Sequence, residues 1–157
     1  MWEALQHTGW VTTLAQSRPL YGLVSIVHFS SVFLSVGTIV LLDLRILGIA
    51  ARSQAASAFA EQLRPWTWTG FGAVVISGFL LFAVDASDFA AVTPFRVKML
   101  VVVLAVISAL AVERSVATWE ASGVVPMTAR LAALVSLILW LGAILVSVEI
   151  PALTGLG

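Results

Sequence analysis

Charged residues in this chain fall in clusters, and four apolar runs lie between them. From Gly22 to Leu42 there are 21 residues without an Asp, Glu, Lys or Arg. At ~1.5 Å per helical residue the run reaches about 30 Å, the thickness of a bilayer's hydrocarbon core. A second run opens after Pro65 with Trp66 and Trp68 and is closed by Asp85 and Asp88. A third starts at Phe95-Arg96-Val97-Lys98 and ends at Glu113-Arg114. The fourth follows Gly123 and Pro126 and meets Glu149-Ile150-Pro151. This pattern predicts an all-α fold, a four-helix transmembrane bundle. It forms a single integral membrane domain over 1–157, with spans at about 22–45, 66–84, 96–114 and 129–149. Ahead of it, Trp2, Leu5, Trp10 and Leu14 predict one N-terminal amphipathic helix on the membrane surface, ended at Arg18-Pro19. Residues 51–64 read as a polar, helix-prone connector, and the first helix has the sequence to run on as far as Ala58.

The polar residues inside the first span are not scattered. Ser25, His28, Ser31, Ser35 and Thr38 are spaced 3, 3, 4 and 3, so they share one face of a helix, which Arg45 continues. A polar stripe is costly against lipid and should face other helices or a bound molecule. His28, Ser31 and Ser35 are therefore the candidate cofactor-binding residues. Imidazole ligates haem iron and hydrogen-bonds quinone carbonyls, so haem b and quinone are the cofactors to consider. The plainer reading is a histidine bonded to a hydroxyl of a neighbouring helix. A bis-histidine haem needs a second intramembrane histidine, and His7 precedes the first span.

Composition narrows the classes. The chain is 61% hydrophobic and 10% charged, against about 25% charged for soluble domains. Net charge is zero, which gives no basis for nucleic-acid binding. The absence of cysteine removes disulfides, iron–sulfur clusters and thiolate metal sites. No nucleophile elbow, HExxH or phosphate loop occurs. At the inner boundary, Asp43 and Arg45 point to opposite sides of one helix, so Asp43–Arg114 and Arg45–Glu113 are the expected ion pairs. Arg45, Arg52, Arg64, Arg114 and Arg130 flank the loops opposite the termini. Arg18, Arg96 and Lys98 lie on the terminal side. The positive-inside rule puts the five opposite the termini on the cytoplasmic side and the termini on the other side of the membrane.

The motifs His28…Asp43-Leu44-Arg45, Leu63-Arg64-Pro65-Trp66, Gly78-Phe79-Leu80-Leu81-Phe82 and Thr93-Pro94-Phe95-Arg96-Val97-Lys98 together resemble an uncharacterised family of small bacterial four-span membrane proteins. The layout is similar in outline to copper-export and cytochrome-type four-helix membrane proteins. Small size and short loops lead to the expectation of a non-catalytic membrane subunit or anchor. It would sit among lipids, with other subunits or copies of itself, in a larger redox complex. The alternatives are a cytochrome-like haem- or quinone-binding protein using His28, and a transporter of a metal ion or small solute.

Overall fold

The structure is a computed structural model and describes residues 1–121 and 125–154, with side chains through Val148. Every regular element among them is a helix. These are α1 (Trp2–Gln6), α2 (Gly9–Gln16), α3 (Arg18–Ile46), α4 (Ala56–Val84), α5 (Ala86–Ala91), α6 (Thr93–Ala121) and α7 (Met127–Thr154). Helices α3, α4, α6 and α7 are long and apolar enough to cross a membrane. At 29 residues, α3, α4 and α6 each reach about 43 Å, so their ends extend beyond a hydrocarbon core.

Two antiparallel hairpins make the bundle. Helix α3 packs most extensively on α4, and α6 on α7; the hairpins join through α3 against α7 and α4 against α6. Small residues set the approach. Ala105, Ala109, Ala133 and Ala143 are buried where helices meet. A Cβ on Gly70 would lie 3.2 Å from the Ser35 backbone nitrogen, so α3 and α4 touch there nearly backbone to backbone. One apolar cluster, with Val36, Ile39 and Trp140, fills the middle; another, with Leu42, Ile46, Val112 and Val116, fills the end away from the N-terminus, called the inner end, the N-terminal end being called the outer.

The structure departs from expectation at the element ends. The N-terminal segment is two short helices. Thr8 breaks it, with its hydroxyl on the Leu5 carbonyl, and Gly9 restarts the helix. Val11 and Leu14 are buried, and α2 packs on α3 and α4. Gln6 Oε1 accepts from the hydroxyl of Ser87 in α5 at 2.6 Å. The segment is thus pinned across the outer end of the bundle.

Helix α3 stops at Ile46 and does not run on to Ala58. Gly48 takes φ +75°, a left-handed conformation that glycine adopts without penalty, and Ile49 N–H donates back to the Leu44 carbonyl. Arg45 Nε and Nη2 both donate to the Gln54 carbonyl, which holds the loop. The connector and second span are one helix, since α4 continues through Pro65. Pro65 is exposed, so its missing N–H costs one bond on an outer face. Helix α6 likewise runs seven residues beyond Arg114. Gly123 and the Glu149 side chain lie outside the described residues.

Candidate functional site

Helix α3 carries polar groups at both ends of the bundle. At the outer end, His28 reaches α4, where Nδ1 lies 3.0 Å from Ser77 Oγ. The Ser77 hydroxyl donates its one proton to the Ala73 carbonyl at 2.5 Å, so it accepts from His28 and the proton is assigned to Nδ1. A Cβ on Gly78 would meet His28 Cε1 at 3.0 Å, so the Nδ1–Cε1 edge of the ring lies flat against α4. Nε2 has no hydrogen-bond partner among the described residues, and the side chain is half-buried.

The three candidate residues do not converge. Ser31 is half-buried and makes no side-chain hydrogen bond among the described residues. Ser35 is buried against Gly70 with its Oγ unpartnered. Ser25 bonds only its own helix, at the Tyr21 carbonyl. Thr38 is buried and accepts from Thr67 Oγ1 of α4 at 2.8 Å. The stripe therefore faces α4, as its spacing requires, but as separate contacts along the seam. No group of three or more His, Cys, Asp or Glu is gathered for a metal among the described residues.

The inner end is organised around Glu113 of α6. Its Oε1 accepts from Arg64 Nε at 2.5 Å, and its Oε2 accepts from the indole N–H of Trp68 at 2.8 Å. Glu113 is thus bound to α4, and the expected Arg45–Glu113 pair is replaced by Arg64–Glu113. Asp43 does not meet Arg114 either. Its side chain is 1% exposed and neither carboxylate oxygen has a hydrogen-bond partner. Ser136 of α7 stands beside it, its hydroxyl otherwise unpartnered and turned to use as a donor to the carboxylate. Asp43, Thr67, Arg64 and Glu113 line a cavity of about 20 Å³, room for one water-sized species.

Sequence reasoning placed Asp43 at a boundary, paired with Arg114. One signal put it inside. Asp43 follows Val36 by seven residues and Ile39 by four, so it lies on the buried stripe of α3. Thr67, Trp68 and Ser77 were legible only as interface or packing residues of the second span.

Four helices fit to cross a bilayer, packed as two hairpins with polar seams inside, define a multi-pass membrane protein. A family of unknown function, DUF6644, matches residues 9–150, and the chain belongs to it. No curated protein and no solved structure matches.

Proposed function

We propose that the protein is a non-catalytic membrane subunit or anchor that works within a larger, redox membrane complex. The observation that carries this is how little of each span the chain covers by itself. In the most apolar 18-residue stretch of each span, only 17–22% of residues are buried inside the bundle. Phe33 is 79% exposed and Ile107 58% exposed, on different hairpins. Lipid covers such faces, and so do neighbouring helices, which pack against small residues and hydrogen-bond polar ones. The setting is the bacterial cytoplasmic membrane, with termini on the periplasmic side, as the five-to-three balance of basic residues favours. A photo-crosslinking residue at Phe33 or Ile107, activated in native membranes, should give one discrete protein adduct from one of the two faces. Lipid adducts alone from both would refute assembly. A cysteine at Ser53 should resist an impermeant thiol reagent in intact cells, and one at Thr93 should react.

A second reading has its own observation. Nε2 of His28 has no partner among the described residues, and a bilayer core offers no water to supply one. A haem iron would engage that nitrogen's lone pair from outside the hairpin, with Ser77 fixing the tautomer, and a quinone would engage it in its reduced form, whose hydroxyl donates to the same lone pair. Ser31, on the same face, would border it. A Soret band or bound quinone in purified protein, lost in His28→Ala, supports this reading; neither in the wild type refutes it. Transport of a small solute remains the third reading.

A further inference from the structure

The inner cavity carries more negative than positive charge whenever Asp43 is ionised, with the carboxylates of Asp43 and Glu113 facing the single guanidinium of Arg64. Asp43 presents two carboxylate oxygens, with the neutral Ser136 hydroxyl as the donor beside them. Thr67 gives its proton to Thr38, and Thr38 donates to the Ser35 carbonyl at 2.8 Å, so neither hydroxyl has a proton left for the carboxylate. Glu113 takes Arg64 and Trp68. Arg64 is the cation lining the cavity, and it is engaged with Glu113. Every element around Asp43 has then been counted: Arg64 from α4, Glu113 from α6 and the Ser136 hydroxyl from α7, with Arg45 of α3 turned away to Gln54. One negative charge is left without a counterpart in a place where an unpaired charge is expensive.

We propose that this cavity binds one monovalent cation, either a sodium ion or a proton carried by the Asp43 carboxylate beside a single water, held by Asp43 with Thr67 and Glu113 at its wall. Size sets the species, since about 20 Å³ admits a single water-like particle. Charge sets the valence. Two carboxylates, one of them already paired with an arginine, leave one charge to neutralise, whereas a divalent ion draws on several free carboxylates. Hard oxygen donors set the class and disfavour soft metals. Asp43 lies three residues from the end of α3, so the site opens toward the inner membrane face rather than toward the His28 end. The site is independent of what the protein assembles with.

The test uses the full chain in detergent, with choline chloride replaced by sodium chloride at constant ionic strength. If sodium is the ligand, the unfolding temperature rises and saturates with sodium and stays flat with choline. Thr67→Val then raises the half-saturating concentration several-fold, and Asp43→Asn abolishes the response. If the proton is the ligand, sodium has no effect. The infrared spectrum then holds the carbonyl stretch of a protonated carboxyl that disappears at alkaline pH and is missing in Asp43→Asn. The proposal is overturned if the wild type shows neither a saturating sodium response nor an alkali-sensitive carboxyl band. It is also overturned if either signal persists in Asp43→Asn. Should Asp43→Asn fail to fold, Thr67→Val decides the sodium case, since an unchanged midpoint there refutes the site. A band unaltered when Ser136→Ala changes the carboxyl's surroundings refutes the proton case.

Discussion

The two polar ends of α3 solve the same problem in opposite ways. His28 and Asp43 are 15 residues apart, about 22 Å along the helix. His28 is half-buried, linked to one helix by one hydrogen bond, and its second nitrogen faces away from α4. Asp43 is enclosed by α3, α4, α6 and α7, beside a carboxylate that ties two of them together. A half-open polar group can be completed from outside the chain. An enclosed one must be completed from within, so the inner end should couple the two hairpins and the outer end should not.

Glu113→Ala is the strongest way to break that contrast. It strands the Trp68 indole N–H and the Arg64 guanidinium together and should cost about 2–3 kcal/mol, read by thermal or denaturant unfolding in detergent. Arg64→Ala should cost less, because its side chain is 54% exposed. The Arg64–Glu113 double-mutant cycle should show coupling of about 1 kcal/mol or below. A null Glu113→Ala effect would place the two ends on equal terms.

Gly70→Ala probes the seam between the ends. The added Cβ meets the Ser35 backbone at 3.2 Å, so α3 and α4 must separate, at about 1–3 kcal/mol. Gly72→Ala, with nothing within 4 Å of its Cβ, should be neutral in the same assay.

His28→Leu should cost about 1 kcal/mol or less in the isolated protein, because the Ser77 hydroxyl keeps its bond to Ala73. A larger loss measured in native membranes than in detergent would sharpen the difference, showing that the outer group is completed by another molecule.

The smallest effect concerns Asp85, in the outer loop. Burial and the neighbouring Asp88 raise its carboxyl above the ordinary aspartate value. The folded state then holds this proton more tightly than the unfolded chain. Stability from this group is present at acid pH and falls as pH climbs from the ordinary value to the raised one. Asp85→Asn should flatten that slope and leave the inner cluster's behaviour unchanged, as unfolding scans across pH would show.

The spans were legible because uncharged runs of this length have one physical outcome in a chain so poor in charge. The face of the stripe was legible too, since spacing alone points His28 and Thr38 toward one neighbour. Pairings were not. Arg45 and Glu113 share a depth, but depth does not fix which way each helix is turned. Arg64 was assigned to a connector because Pro65 reads as a helix opener. In the structure α4 begins nine residues before Pro65, and this carries Arg64 on a rigid face toward Glu113. Asp43 was matched to Arg114 because the two share a boundary depth, whereas its spacing from Val36 and Ile39 and the packing of α7 beside it put it inside the bundle.

The start of α4 has a consequence for how the protein is made. The Ala56 and Ser57 backbone N–H groups donate to the Glu120 carboxylate, at 2.6 and 3.1 Å, and Glu120 lies 64 residues after Ala56. The first hairpin therefore leaves the ribosome with the amino end of its second helix unsatisfied. That end is closed only when the far end of α6 has been synthesised and threaded back to the same side of the bilayer. A nascent chain halted after α5 carries two inserted spans and an open helix end, and the arrival of the third span is what seals the first turn.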